Sequence, residues 1–187
     1  MDEPTTIKDW LGVGDLRSDG LASQVAVLVN ENPDLLPDLL EALANGSDTV
    51  RGHAADALER VSRLHPAWIA SSLDQLLSQA TSDSVPMVRW HMAMLFGNLG
   101  TAGFYDERLT RALVVLLDDC SNFVKSWAIS SLCLIGRLVP QSSALILESI
   151  APLQEDASIA VRHRAHKAVE LLMNLNQQPP PGWVKVK

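Results

Sequence analysis

Val50–Leu58 reads VRGHAADAL, and Val88–Phe96 reads VRWHMAMLF. The same frame, a valine followed by a basic residue, recurs at Val124-Lys125 and Val161-Arg162. The four anchors are separated by 38, 36 and 37 residues. A spacing this regular marks an internal repeat, which takes precedence over other readings of the chain. Four residues after each valine stand Ala54, Met92, Ala128 and Ala165. Eight after stand Leu58, Phe96, Leu132 and Val169; eleven after stand Val61, Leu99, Ile135 and Leu172. Positions 0, 4, 8 and 11 share one face of an α-helix. A small residue at the second of these positions lets a neighbouring helix approach closely.

Six residues before each basic residue stand Asn45, Asp83, Asp119 and Asp156. A short polar side chain there can cap the helix that follows. It can also pair with the basic residue of its own or a neighbouring repeat, so that stacked repeats form a ladder. Arg51, Arg89, Lys125 and Arg162 are read as rungs of that ladder rather than as a binding stripe.

A second series of helices falls between the anchored ones, at Pro33–Ala44, Pro66–Ala80, Tyr105–Asp118 and Ser142–Gln154. Pro33 and Pro66 sit where proline is tolerated, at helix starts. Pro152 is placed to end or bend its helix. Leu21–Asn30 is predicted as an opening helix that lacks the anchor, and Val161–Asn174 as a last helix without a following partner. Gly97, Gly100 and Gly103 are read as a helix cap and a longer turn, with no Lys-Ser/Thr to make a phosphate loop.

The two-helix unit of about 37 residues resembles the HEAT repeat, on its D-x5-[RK] spacing, its V-[RK]-x2-A-x3-L core and its proline at the second helix. Tetratricopeptide repeats have a shorter period and an aromatic-glycine pattern that does not fit. Armadillo repeats carry a third short helix, for which the linkers are too short. ADALERVSRLHP with VRWHMAM looks like uncharacterised prokaryotic HEAT-repeat proteins. The resemblance implies an all-α, right-handed α-α superhelix of about four helical hairpins plus a terminal helix. The domain reading is an N-terminal cap over 1–18, repeats over 19–175, and a Pro-rich tail over 176–187. Trp10 and Leu11 are expected to cover one end. Trp183 and Val184, carried by Pro179–Pro181, are expected either to cover the other or to stay loose.

Composition narrows the function. Of the 187 residues, 47% are apolar and the net charge is −7. That balance opposes general attraction to phosphate, which needs clustered Lys and Arg. No run of apolar residues is long enough to span a membrane. The start, MDEPTTIKDW, lacks the order of a signal peptide. Cys120 and Cys133 form no CxxC and are read as free thiols in the cytoplasm.

HEAT-like folds also host enzymes. Deoxyhypusine hydroxylases carry iron on His-Glu pairs, and no His-Glu occurs here. Phycobilin lyases use similar repeats, but no feature here selects a bilin. HEAT-like alkylpurine glycosylases use Trp, Asp and Arg in a cationic groove. Trp90 and Trp127 superficially resemble that pattern, and they are read instead as packing residues or part of a sticky patch. His163 and His166 are three apart within RHRAHK, where Arg162, Arg164 and Lys167 disfavour a metal ion, so this stretch is read as a solvated basic face. The expectation is a non-catalytic scaffold for an unknown protein partner, with no cofactor or metal and no membrane role. By analogy with HEAT arrays, the second helices would line a concave binding face through Asp74, Gln75, Ser78, Asp106, Arg111 and Asp118. The alternative is nucleic-acid contact through Arg162, Arg164 and Lys167.

Overall fold

A computed structural model of the protein describes residues 5–183. They fold into helices, with no strand among the described residues. The chain divides into two compact units, 1–92 and 93–187. The first contains α1 (Ile7–Leu11), α2 (Ala22–Glu31), α3 (Leu36–Asn45), α4 (Asp48–Leu64), α5 (Pro66–Ala70) and α6 (Leu73–Ser82). Helix α7 (Pro86–Thr101) carries the boundary. The second contains α8 (Glu107–Val115), α9 (Asn122–Leu138), α10 (Pro140–Ile150) and α11 (Ile159–Met173). The anchored helices are α4, α7, α9 and α11. In the first unit α4 packs on α2 and α3; in the second α9 packs on α8, α10 and α11.

The repeated face is the buried face. All four anchor valines, all four residues at the fourth position and all four at the eleventh are buried. At the eighth position Leu58, Phe96 and Leu132 are fully buried, while Val169 on the last helix is half-buried. Burying Leu- or Phe-sized side chains contributes roughly 1.5–3 kcal/mol each, so these positions hold the hairpins together.

The ladder is present in both units, and it uses both alternatives at once. In the first unit Arg51 Nε and Nη2 donate to the Asp83 carboxylate of the next repeat at 2.8 and 3.1 Å. Asp83 also accepts from the Val85 amide, while Arg89 donates to the Asp83 carbonyl. In the second unit Lys125 Nζ donates to Asp156 at 2.7 Å. Asp156 caps the Ser158 amide, and Arg162 donates to the Asp156 carbonyl. The carboxylate thus takes the preceding repeat's cation, and the backbone beside it takes the cation six residues on. Hydrogen bonding from Asp83 raises the Arg51 pKa; Lys125, then the Ser158 amide, hold Asp156 below the usual carboxylate range. Asn45 departs from the series: its amide donates to Glu41, and Arg51 reaches the Gly46 carbonyl instead.

The second-series helices are less regular than their sequence predicts. Pro66–Ala80 is broken between α5 and α6, because Ser72 leaves helical geometry (φ −106°, ψ 19°) and the Ser71 hydroxyl bonds back to the Trp68 carbonyl. Short 3-10 turns at Pro33–Leu35, Leu116–Asp118 and Ala151–Glu155 take over where continuous helix was expected. Pro152 lies in the last of these, and α10 stops before it at Ile150. Pro140 opens α10, two residues earlier than expected.

The reading of LGTAGF as a cap and turn needs correction. Gly97 and Gly100 lie inside α7 and are buried; Gly103 alone, with φ +91°, makes the turn. A Cβ on Gly97 would stand 2.5 Å from Ser131 Oγ and 2.9 Å from its Cβ; one on Gly100 would stand 2.6 Å from Ile135 Cγ1. These glycines let α7 and α9 approach closely. Gly97→Ala sets a gain of about 1 kcal/mol in helix propensity against an overpacking cost of about 1–3 kcal/mol. Ser131 Oγ can rotate away, but its Cβ and backbone cannot. A net loss of about 1 kcal/mol is expected, read from the urea midpoint. An unchanged or higher midpoint would show that the contact yields freely.

Candidate functional site

The chain ends are held differently. At the N-terminal end Leu11 is fully buried and α1 packs on α3 and α4. The loop that follows is tied down by His53, whose ring nitrogens lie 2.8 Å from the Leu11 carbonyl, 3.0 Å from that of Ser18 and 3.3 Å from that of Asp15. Gly20 (φ +50°) passes so close to this ring that a Cβ would stand 2.6 Å from it. Beside it Asp56 accepts from Arg60 and lies 3.5 Å from His91 Nε2. The buried His91 donates through Nδ1 to the Met87 carbonyl and accepts from the Trp90 indole. Burial lowers its pKa, favouring the neutral ring that this pattern needs. Trp90 is therefore a packing residue with a satisfied N–H.

At the C-terminal end Arg137 on α9 donates to the carbonyls of Leu171, Asn174, Leu175 and Gln177. A cation on the last carbonyls of α11 is a favourable helix end. It also directs the tail back along the helix pair. After Pro179–Pro181 the chain turns at Gly182 (φ +89°), and Trp183 is buried. Val184 lies outside the described residues.

Trp183 meets Arg164. The Arg164 guanidinium lies 5.2 Å from the Trp127 ring centroid and 5.4 Å from that of Trp183. Its Nη1 donates to Ser130 Oγ at 2.8 Å and to the Ser126 carbonyl at 3.3 Å. Trp127 and Arg164 occupy the same place in successive repeats, three residues after the anchor valine, so they come from adjacent helices to one face. The Lys125–Asp156 rung fixes α9 against the turn that starts α11.

These side chains line a groove of about 240 Å³, bounded by Asn122, Phe123, Ser126, Trp127, Ala160 and Arg164. Of the lining residues Phe123 is 65% exposed; Ile159, next to Ala160 in sequence, is 68% exposed. Arg164 is half-buried, and its pKa is lowered by burial alone. A larger cavity of about 310 Å³ lies between α1 and α3, lined by Thr6, Ile7, Lys8, Asp38, Glu41 and Ala42. It contains neither an aromatic ring nor a desolvated charge.

RHRAHK is therefore not the solvated basic face that was expected. Arg162 is engaged with the Asp156 and Ala157 carbonyls, Lys167 with Glu170, and Arg164 with two tryptophans. His163 and His166 are exposed, and no group of three metal-ligating side chains occurs among the described residues. Cys133 is buried, which pushes its thiol up to about 12, whereas Cys120 is exposed.

The second-series positions fall three in each unit. On α6 Asp74 and Ser78 are exposed, while Gln75 donates to the Leu40 carbonyl. Asp106 caps α8 and pairs with Arg108, which holds its carboxyl below the usual range. Arg111 pairs with Glu107, and Asp118 is exposed on the turn after α8. None of the six lines either cavity described above.

The family profile for HEAT repeats matches residues 36–133. No curated protein matches the chain. Among solved structures, one similar in fold is from the complex of CpcE and CpcF of phycocyanin lyase from Nostoc sp. PCC7120, at 21% identity and TM-score 0.68, covering 87% of this chain and 96% of that one. Another is a designed armadillo repeat protein in complex with the peptide (KR)4, at 21% identity and TM-score 0.59, covering 89% of this chain and 72% of that one.

Proposed function

This chain belongs to the HEAT-repeat family, and on that premise we propose that it is a non-catalytic protein-binding module whose α9–α11 groove takes a segment of a partner protein. The observation that carries the reading is the groove itself. Exposed Phe123 lines a concavity together with Trp127 and a positioned Arg164. Interfaces concentrate their binding energy in such buried aromatic and Arg anchors. Two similar folds were solved with a protein or peptide partner, CpcE with CpcF and the designed armadillo protein with (KR)4. Their identity of 21% supports the fold, and the groove supports the use made of it.

Among the described residues no helix is long and apolar enough to cross a membrane. The proposed location is the cytoplasm, a reading that rests on the sequence, in which Cys120 and Cys133 form no CxxC. The nucleic-acid reading is weaker, because Arg162 and Lys167 already have partners within the chain. Asp74, Gln75, Ser78, Asp106, Arg111 and Asp118 remain proposed contacts of lesser weight, since exposed or already paired charges contribute little affinity.

The test is a photo-crosslinking amino acid placed at position 123 and, as a control, at Val115, which is 58% exposed on α8. A protein crosslinked from 123 and not from 115 is then purified. Phe123→Asp is expected to weaken its binding more than tenfold, the size of a hot-spot loss. Charge reversal at Asp74 and Asp106 should change affinity less. Equal crosslinking from both positions, with unchanged affinity for Phe123→Asp, would overturn the placement.

A further inference from the structure

Arg164 differs from the other cations around the groove in what it lacks. Among the described residues no carboxylate faces it, and burial acts on it with no acid to offset the cost. Its hydrogen bonds run through Nη1 alone, to Ser130 Oγ and the Ser126 carbonyl. The Nε and Nη2 donors, which form the edge suited to a bidentate acceptor, make no hydrogen bond to a described residue. Lys125 is closed off by Asp156 and Lys167 by Glu170; Arg162 also bonds through Nη1, to the Asp156 and Ala157 carbonyls, but has the Asp156 carboxylate to offset its charge. A guanidinium within 5.2 and 5.4 Å of two indole centroids and hydrogen-bonded through Nη1 has little freedom left to lose when an anion arrives.

Building on the groove reading, we propose that Arg164 is the specificity-determining residue of the site and that it captures a carboxylate, an Asp or Glu of the partner segment flanked by a large apolar residue. Arg pairs with carboxylates through two parallel N–H···O bonds, and these are among the stronger polar contacts in proteins. The apolar neighbour in the ligand follows from Phe123, which lines the same groove and is too exposed to be a core residue, with the exposed Ile159 next to the lining Ala160 in sequence. A carboxylate fits better than a phosphate for a reason of charge. One unneutralised guanidinium balances one carboxylate, whereas a phosphate group at −1.5 to −2 needs more cations, and the neighbouring ones are engaged. The net charge of −7 likewise opposes a polyanion.

The experiment uses the full chain. A random 12-residue peptide library is panned against the wild-type protein, and selected peptides are resynthesised with each Asp or Glu changed to its amide. Binding is measured by fluorescence anisotropy to wild type, Arg164→Gln, Arg164→Lys and Phe123→Asp. Gln retains a donor for Ser130 Oγ, and the melting temperature of each variant shows whether it is folded. The expected result is an acid next to a large apolar residue in the selected peptides. Affinity should fall about tenfold or more on amidation and on Arg164→Gln, with partial recovery in Arg164→Lys, which keeps the charge but not the fork. The amidated peptide should not distinguish wild type from Arg164→Gln, an outcome that a merely structural role for Arg164 would not produce. Peptides that bind Arg164→Gln as well as wild type but lose affinity for Phe123→Asp would overturn the carboxylate and leave the groove standing. Peptides indifferent to both variants would overturn both. A 20-nucleotide single-stranded DNA that displaces the peptides with an affinity dependent on Arg164 would also overturn the carboxylate assignment.

Discussion

Asp83→Ala is expected to lower the stability of the first unit by about 2–3 kcal/mol, the range for leaving a part-buried charged group without its hydrogen-bond acceptor. The Asp83 side chain is only 3% exposed and receives two hydrogen bonds from Arg51. Without it, Arg51, itself 17% exposed, keeps Asp48 at 3.0 Å and the Gly46 carbonyl as neighbours. Asp48 is 67% exposed and cannot replace a buried carboxylate. The variant also loses the cap on Val85 N, a contribution of about 1 kcal/mol. Two controls separate these causes. Asp83→Asn keeps the cap and one acceptor and should lose less than Asp83→Ala. Asp48→Ala removes only an exposed partner and should stay within about 0.5 kcal/mol of wild type. Equilibrium unfolding in urea reads all three. If Asp83→Ala proves no more costly than Asp48→Ala, the ladder does not organise the repeat.

His53→Ala should lower stability by about 3 kcal/mol, combining a cavity left by a fully buried ring with carbonyls that lose their donor. The loss has a local signature as well. His53 is the bridge to Leu11, Asp15 and Ser18, so residues 12–20 should loosen while the rest of the unit stays folded. Arg17 lies in that loop with its side chain 91% exposed, which makes it a reporter for trypsin. Cleavage after Arg17 should be faster in the variant under native conditions. An unchanged rate would mean that the loop is held by something other than His53.

The repeat was legible because its signal is redundant. Anchor valines, the fourth-position residues (Ala in three repeats, Met92 in one) and those at the eighth and eleventh fall on the face that the structure buries, Val169 alone being half-buried. The Asp residues before each anchor were legible for the same reason. What the pattern left open was which cation each would take, because that depends on stacking rather than spacing. Asn45 shows the limit: its amide donates to Glu41, and Arg51 reaches the Gly46 carbonyl where the other repeats use the carbonyl of the Asp.

Other features depend on contacts between helices far apart in sequence. Gly97 and Gly100 look like a cap until Ser131 and Ile135 are seen against them. The break at Ser71 and Ser72 had only two serines to announce it, and serines are common within helices. The groove did leave a trace. Trp127 and Arg164 hold the same register position in consecutive repeats, and a cation one repeat after an aromatic residue at that position predicts a stacked pair. The run RHRAHK masks this trace, because Arg164 stands among basic neighbours that suggest a uniform charged face. Pro179–Pro181 pointed to Trp183 as a cover for this end, but not to its contact with Arg164, which follows from a path set by Arg137.

The most direct measurement is a calorimetric titration of the protein crosslinked from position 123, purified, into wild type and Phe123→Asp, with melting temperatures of both recorded. The groove account predicts an affinity loss of more than tenfold for Phe123→Asp with the melting temperature unchanged. Equal affinities for the two proteins would contradict it and move the partner's contact away from α9 and α11.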